Sequence, residues 1–416
     1  MSPDQASPAP KRSATTPNTA FDLKKSTLVA SPELFSDDIL HLFHEHAALD
    51  VIPIVEDTLP IGLVNRHVFM NEMARPYMRE IYGRKSCIAF MDKQPLIVEE
   101  NTPIQELSFR ALAAGQKALS DGFIIVKNGA YTGVGSGFDL VDAVTKLQAE
   151  KSRMVMESIE YASVIQKSFL RPSQRDLAAC LPDHVLLWEP RDVVGGDFFV
   201  FRHFDDGFFI AVIDCTGHGV PGAFMTLIMA SLLDRLLQHG NPRDPASVMA
   251  EMNRMVKSIL AQDGKHEDGG GSDDGMDTAF VWFNTAQRSM TWAAAKTPLF
   301  IVEPASSDAA PPVKVEQING DRMGVGYRTT PMSHAWINHN LNLAPGSSVF
   351  ITTDGIIDQP GGAKRIAFGK KRLKNMLTEH HSLPLMAQGS RIMQAFGTYQ
   401  GEQTRRDDVT FFGFRP

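Results

Sequence analysis

The sequence contains little of what would assign a class at once. Its 416 residues include three cysteines (Cys87, Cys180, Cys215) at wide spacings, which excludes a disulfide framework and a thiolate metal cluster. No apolar run reaches the roughly 18 residues of a membrane-spanning helix, and the first residues contain no hydrophobic signal segment. We therefore expect a cytoplasmic protein that is not inserted in a membrane.

Positive charge is also in short supply. Lysine and arginine number 41 against 48 aspartates and glutamates, a net charge of −7. This balance argues against a general nucleic-acid or anionic-membrane binder. The hydrophobic fraction of 43% is ordinary, and the length allows two or three domains of roughly 100–200 residues.

The N-terminal part contains an internal repeat. Residues 1–24, rich in Pro, Ser, Thr and Ala, predict a disordered leader. Within 25–145, VIPIVED (51–57) and IGLVN (61–65) predict a strand pair, and a helical pattern follows. GFIIVKN (122–128), YTGVGSG (131–137) and a second helical pattern repeat that order. The repetition indicates a pseudo-dimeric module.

The second helical pattern continues without glycine or proline to Arg171, and we predict a connector helix over 140–172 that Pro172 ends. Six of eight a and d heptad positions are apolar, the positions being Leu140, Val144, Leu147, Lys151, Met154, Ser158, Tyr161 and Ile165. A parallel coiled coil, and hence a homodimer, is one interpretation, which Lys151 and Ser158 weaken. A connector packed on its own domain is the other.

Strand and helix patterns alternate over 173–416. The segments 207–215, 347–355 and 409–414 predict buried strands, and 221–240 predicts a helix that begins with proline and ends with glycine. The acidic, glycine-rich segment 263–277 predicts a mobile loop.

Four acidic motifs lie at or beside the predicted strand ends. They are VVGGDFF with Asp197, VIDCTGHGVPG with Asp214, TTDGIID with Asp354, and RRDDVTFF with Asp407 and Asp408. A single aspartate after a strand usually belongs to a turn or a helix cap. Several converging carboxylates, however, need a compensating cation, and without Cys/His ligand spacing Mg²⁺ or Mn²⁺ is favoured over zinc.

These motifs, in this order, resemble the motif set of the SpoIIE-type serine phosphatases, members of the PPM (type 2C-like) metal-dependent protein phosphatases. The resemblance covers roughly 173–416, and SVIQKSFLRP (163–172) resembles the switch helix that precedes such domains. It implies an α+β fold: an α/β/β/α sandwich of two central sheets flanked by helices.

The resemblance also implies a two-metal site that holds Mn²⁺ or Mg²⁺. Asp214 would bridge the ions and the Cys215 backbone carbonyl would join one of them. Asp354 and Asp407 would complete the shell of the other ion, and Asp197 would hold the second ion, directly or through water. Asp408 would support the site rather than bind metal. A metal-bridging hydroxide would attack the phosphorus, with Asp214 and Asp354 as the catalytic carboxylates.

Neighbouring residues leave alternatives open. Arg191 is a candidate for the substrate phosphate, the alternative being a surface arginine. Asp277 could bind a third metal or tether the acidic loop. Lys296 is expected on the solvated surface rather than facing the substrate, and so is Arg322. His218 is expected to hold its loop by hydrogen bonds, the alternative being a role as an acid. The VVGGDFF motif departs from the family pattern at the next residue, Val200, where the family often has another aspartate.

The N-terminal repeat resembles a CBS-domain pair, a module that senses adenosyl nucleotides. GVGSGFD (133–139) fits the pattern G-x-x-[ST]-x-x-D, so Ser136 and Asp139 would contact ribose and phosphate. The corresponding positions in the first repeat are Asn65 and Val68, which do not fit. A scaffold that dimerises and binds no nucleotide is the alternative.

Together these features predict a protein serine/threonine phosphatase acting on a phosphorylated regulatory protein, a STAS-type antagonist by resemblance, under the control of the N-terminal module. The alternative is a non-catalytic phosphatase-like module that only binds a partner, against which the intact aspartates argue. A diguanylate cyclase is excluded because Phe198 stands where its GGD motif needs glutamate.

Overall fold

The computed structural model describes residues 17–262, 273–304, 313 and 315–416. The chain divides into two compact units, Met1–Val155 and Met156–Pro416. Residues 1–16 of the predicted leader and 263–272 of the predicted mobile loop lie outside the described residues.

The first unit is built from two halves of similar order. Its strands are β1 (Val51–Glu56), β2 (Leu59–Asn65), β3 (Ile97–Glu99), β4 (Phe123–Lys127) and β5 (Ala130–Gly135). Its helices are two 3-10 turns (Ala20–Leu23, Cys87–Phe90) and α1 (Ser36–Glu45), α2 (Arg66–Met73), α3 (Met78–Tyr82), α4 (Ile104–Ala113) and α5 (Gln116–Ser120). The antiparallel pair β1–β2 precedes α2, and the antiparallel pair β4–β5 precedes the next helix, α6 (Gly137–Cys180). The predicted repeat of strand, strand and helix is therefore present.

Two local features of this unit differ from prediction. Residues 17–24 do not share the disorder predicted for 1–24, because Ala20 and Leu23 are buried in the core of the second half and the Ala20 N–H donates to the Thr102 carbonyl at 2.9 Å. Two isolated apolar residues give no periodic signal, so the sequence pattern missed this anchor. The helix predicted after β2 is split into α2 and α3, with Tyr77 at φ 64° between them.

Helix α6 continues to Cys180, so Pro172 does not end it. Proline removes one backbone hydrogen bond from a helix interior. Leu170 and Leu177, on either side of it, are both buried in cores of the second unit. Burying one such side chain contributes about 1.5–3 kcal/mol, which offsets the lost bond.

The second unit contains two five-stranded sheets. Its strands are β6 (His184–Glu189), β7 (Asp197–Phe204), β8 (Gly207–Cys215), β9 (Met276–Asn284), β10 (Ser289–Ala295), β11 (Leu299–Val302), β12 (Val315–Ile318), β13 (His339–Asn342), β14 (Ser348–Thr352), β15 (Pro360–Gly361), β16 (Ile366–Ala367) and β17 (Val409–Phe414). The sheet orders are β13-β10-β9-β8-β7 and β12-β11-β14-β17-β6, and β15–β16 is a separate hairpin. All neighbours in the two large sheets run antiparallel.

Alternate residues of β8 belong to two different cores, one on each face of the first sheet, and one of these cores lies between the two sheets. Ile210 and Val212 belong to a core that also contains Ile351 and Phe412 of the second sheet. Ala211, between them, belongs to a different core, on the outer face of the first sheet. Because successive strand residues point to opposite faces, a fully apolar strand such as β8 must be covered on both sides.

Helices cover the two outer faces. They are α7 (Gly219–His239) and α8 (Pro245–Ile259) on the first sheet, and α10 (Gly369–Glu379) and α11 (Leu385–Gln400) on the second, with the one-turn α9 (Asp354–Ile357) between strands. The second unit is thus a mixed α/β structure of helix, sheet, sheet and helix layers. Among the described residues α7 alone is long and apolar enough to cross a membrane by length and composition. The buried residues of α7 pack against the first sheet. A helix buried in a protein core can pass the same test of length and composition.

Candidate metal centre

One end of the first sheet presents a row of carboxylates. In the antiparallel register Asp197, which begins β7, lies opposite Asp214 near the end of β8. Asp214 in turn lies opposite Asp277 of β9. Three aspartates from distant parts of the sequence therefore stand side by side, because the strand register fixes which residues are neighbours.

The second sheet brings its own acidic residues to the same place. The Thr353 hydroxyl, between β14 and Asp354, donates to Asp197 Oδ2 at 2.7 Å. The Thr353 N–H donates to the Thr410 carbonyl at 3.0 Å, and the Thr410 N–H donates to the Thr353 hydroxyl at 3.0 Å. Thr410 follows Asp407 and Asp408 closely in the sequence. Thr353 thus joins the acidic ends of the two sheets.

Asp408 anchors the loop that carries Asp197. Its two carboxylate oxygens accept the Arg191 and Gly196 N–H groups, each at 2.6 Å, and the residue is 2% exposed. A Cβ on Gly196 would lie 2.3 Å from the Gly217 carbonyl oxygen, so only glycine allows this close approach. The Cys215 N–H donates to the Gly196 carbonyl at 3.1 Å, which holds the Cys215 backbone against the same loop.

Gln166 of α6 is a residue of the site that sequence reasoning missed. Its side-chain amide donates to the Gly195 carbonyl at 2.7 Å and to the Thr226 hydroxyl of α7 at 3.0 Å, and its oxygen accepts the Gly195 N–H at 3.3 Å. The side chain is buried. The only signal was its helical spacing from Ser163 and Leu170, which are also buried.

The electrostatics of three of the predicted ligands, Asp197, Asp214 and Asp354, favour a bound cation. Burial raises the pKa of Asp214 well above its usual value, and the charges of Asp197 and Asp354 add to the rise. Burial also raises the pKa of Asp197, opposed by the Thr353 hydrogen bond. Partial burial and the charge of Asp407 raise the pKa of Asp354 to about 6. Because Asp354 is exposed, solvent screens the charges that act on its carboxylate and weakens their influence on its pKa.

Among the described residues, no lysine or arginine forms an ion pair within 4.0 Å with Asp197, Asp214, Asp354 or Asp407. In the part of the chain that the structure describes, no group of three or more His, Cys, Asp or Glu side chains is close enough together to hold a metal ion as it stands. Mutual repulsion is the physical reason for carboxylates to stay apart in the absence of a compensating charge. Oxygen donors with surplus negative charge suit Mg²⁺ or Mn²⁺, so the donor chemistry fits such ions.

Other predicted residues lie around this centre. Arg191 is exposed, and its guanidinium donates to the Arg406 carbonyl at 3.0 Å. His218 Nδ1 lies 3.0 Å from Asp192 Oδ2, an interaction between two loops. Burial raises the pKa of the Cys215 thiol well above its usual value, which disfavours a reactive thiolate. Arg322 is exposed.

The predicted nucleotide residues meet at the start of α6. The Ser136 hydroxyl donates to Asp139 Oδ2, and the Asp139 N–H donates back to Ser136 Oγ at 3.1 Å. Lys25 Nζ lies 2.5 Å from Asp139 Oδ2. Ser136 lines a cavity of about 610 Å³ that Asn65 and Arg66 of the first half also line, whereas Asp139 is not part of the lining.

Comparisons with known proteins find similarity of fold and of sequence family. The SiaA-PP2C domain of Pseudomonas aeruginosa has a similar structure, with a TM-score of 0.56 and 35% identity over 64% of this chain and 99% of that domain. Fold and site therefore define a PP2C-like phosphatase domain. Residues 205–416 match the model of the stage II sporulation protein E (SpoIIE) family. The chain belongs to the SpoIIE family.

More distant structures add little. The RsbU and RsbW domains of a Mycobacterium tuberculosis protein match at 17% identity and a TM-score of 0.44, over 56% of this chain and 59% of that one. The PP2C phosphatase domain of Bacillus subtilis SpoIIE, with a fragment of its regulatory domain, matches at 16% and 0.43, over 56% and 63%. A comparison with curated proteins finds no match.

Proposed function

We propose that this protein is a metal-dependent serine/threonine phosphatase that hydrolyses the phosphoserine or phosphothreonine of a regulatory protein. The observation that carries the proposal is that Asp197, Asp354 and Asp407, at the ends of two sheets, all raise the pKa of Asp214, and that among the described residues none of the four forms an ion pair within 4.0 Å with lysine or arginine. Membership of the SpoIIE family supports the same activity.

In the proposed reaction Asp214, Asp354 and Asp407 would hold one Mn²⁺ or Mg²⁺ ion, and Asp214, the Cys215 carbonyl and Asp197, directly or through water, would hold the other. Divalent ions lower the pKa of bound water and offset the charge of a phosphoryl group. The chain itself supplies positioning. Thr353 orients the Asp197 carboxylate and Asp408 fixes the loop before it, and the exposed Arg191 would pair its guanidinium with the substrate phosphate.

Hydrolysis of p-nitrophenyl phosphate and of a phosphoserine protein, with Mn²⁺, Mg²⁺ or EDTA, tests the activity. Asp214→Asn and Asp354→Asn should each lose about 100-fold or more in kcat, the equivalent of several kcal/mol of lost charge stabilisation. Asp205→Asn is a matched control, because Asp205 is exposed in the turn at the far end of β7. Activity that survives EDTA, or no activity with either metal on both substrates, would leave the non-catalytic binding module as the better account.

For the substrate we propose a small phosphorylated STAS-type protein, an assignment that rests on the resemblance to SpoIIE-type phosphatases. The exposed rim of the centre, with Arg191 and His218, is accessible to a protein surface. Phosphate release from a panel of phosphorylated STAS proteins should exceed release from a phosphoserine peptide of the same sequence. Equal rates on peptide and protein would argue that no folded partner is recognised.

We also propose that the first unit is a CBS-type module that binds an adenosyl nucleotide. The repeated strand pairs and the cavity lined by both halves support this assignment. Titration calorimetry with AMP, ATP and S-adenosylmethionine tests it, with Ser136→Ala as the variant that should weaken binding. Thr132→Ala is the control, since the Thr132 hydroxyl is bonded to the Ile125 carbonyl within the sheet. Absence of binding by all three adenosyl ligands would favour the scaffold alternative.

A further inference from the structure

Lys296 is an exposed basic residue beside the row of Asp197, Asp214 and Asp277. It follows β10 directly, and its backbone adopts φ 61°, the left-handed region that favours glycine. This conformation costs a residue with a side chain about 1–2 kcal/mol. A strained backbone at a functional site is a reason to look for what the side chain does there.

The side chain reaches the acidic row. Lys296 Nζ lies 3.0 Å from Asp277 Oδ1, as an ion pair without the alignment of a good hydrogen bond. The ammonium also lies over the Tyr327 ring, 4.4 Å from its centre. The backbone is fixed as well, because the Lys296 N–H donates to the Asp321 carbonyl at 2.6 Å. Lys296 is exposed, as expected for a surface lysine, and its ammonium at the same time contacts Asp277 and Tyr327.

Asp277 is the carboxylate that stands directly across β8–β9 from Asp214. Its charge raises the pKa of both Asp214 and Asp354, so it belongs electrostatically to the centre. Within the row of Asp197, Asp214 and Asp277, it is the member that has a lysine partner among the described residues. The row is therefore split into two carboxylates without a cation and one with a cation of its own.

We propose that Lys296 is a tethered cation that keeps Asp277 out of the metal-binding set. Its ammonium supplies the positive charge that a further divalent ion would otherwise bring to this carboxylate. Of the carboxylates, only Asp197, Asp214, Asp354 and Asp407 then bind the divalent ions. This inference rests on the proposed function, since it presupposes that those four carboxylates bind metal.

The test is titration calorimetry of the full-length, EDTA-stripped protein with Mn²⁺ alone. Lys296→Gly suits the backbone conformation, so the variant should melt at the same temperature as the wild type or higher. Removal of the ammonium should free Asp277. The variant should bind one Mn²⁺ more than the wild type, or bind Mn²⁺ about tenfold or more tightly. Lys296→Met, which keeps the aliphatic stem, should give the same change and serves if the glycine variant does not fold.

Two further variants separate this effect from general charge. Arg365→Gly removes a cation from another left-handed position, φ 48°, in an exposed turn, and should leave Mn²⁺ binding unchanged. Asp277→Asn added to Lys296→Gly should restore the wild-type stoichiometry and affinity. If the wild type and Lys296→Gly bind Mn²⁺ identically, the inference is overturned while the metal centre stands. If the wild type binds no Mn²⁺, the metal centre itself is wrong, and this inference with it.

Discussion

At the scale of single residues, the aspartates of the centre differ in how far their oxygens are already used. Asp408 accepts two backbone N–H groups, and Asp197 accepts the Thr353 hydroxyl. The carboxylates of Asp214 and Asp354 accept no hydrogen bond from the described residues. A carboxylate saturated by amides stabilises a loop, whereas one without donors is available to a cation.

This difference predicts opposite stability effects for two isosteric variants. In Asp408→Asn the side-chain NH₂ group faces one of the two N–H groups that the carboxylate accepts, so that hydrogen bond is lost. The free energy of unfolding should therefore fall by about 1–3 kcal/mol. Asp354→Asn removes only a repelling charge, so stability in EDTA should be unchanged or slightly higher. Urea denaturation of both variants measures this. Equal losses would show that Asp354 also has a structural role.

The raised pKa of Asp354 predicts how stability depends on pH in EDTA. Because its pKa of about 6 exceeds that of an unfolded aspartate, the folded protein binds this proton more tightly. The contribution is therefore fully present below about pH 4 and is lost as pH rises through about 6. Allowing for solvent screening, it amounts to about 1 kcal/mol. Denaturation at several pH values should show the wild type losing this increment relative to Asp354→Asn; parallel curves would contradict the shift.

At the scale of elements, the sequence predicted the bounds of strands that are buried along their whole length. The observed β8 and β17 coincide with the predicted segments 207–215 and 409–414, since continuous apolar runs between turns leave little choice. Helix α6 continues beyond the predicted end at Pro172, because Leu170 and Leu177 are buried in cores formed with residues far away in the sequence. The four motif aspartates could be located because each lies at a strand end. Gln166 and Lys296 could not, because their roles depend on contacts between separate elements.

The contact between α6 and the Gly195 loop predicts that the helix controls the metal centre. Gln166→Ala should remove two hydrogen bonds that hold Gly195 and one to Thr226, and thus loosen the backbone two residues before Asp197. We expect weaker Mn²⁺ binding and about 10–100-fold lower kcat, as for residues that orient ligands. Lys167→Ala, at the exposed neighbouring position, is the control. Unchanged Mn²⁺ affinity in Gln166→Ala would mean that the contact only contributes stability.

At the scale of the whole molecule, the predicted heptad pattern of α6 falls into two parts. Leu140 is buried, and Val144 and Leu147 are half-buried, in the core of the first unit. Met154, Tyr161 and Ile165 are exposed. We propose that this second part forms a homodimer seam. Light scattering at micromolar concentration should give twice the chain mass, and glutamate at these three positions should give the monomer. A monomeric wild type would remove the proposal.

The helix also offers a test of whether the first unit regulates the phosphatase. Two residues inserted between Lys151 and Ser152, both exposed, turn everything beyond them by about 200° around the helix axis, whereas seven inserted residues restore the phase to within about 20°. If a signal passes along α6, the first insertion should change turnover and abolish any response to a nucleotide, and the second should largely preserve both. The same ordering is expected for a dimer seam, since its apolar positions also recur every seven residues. Turnover and nucleotide response that are identical in both insertions and in the wild type would mean that α6 is a passive tether, and control of the centre would then have to come from the partner protein.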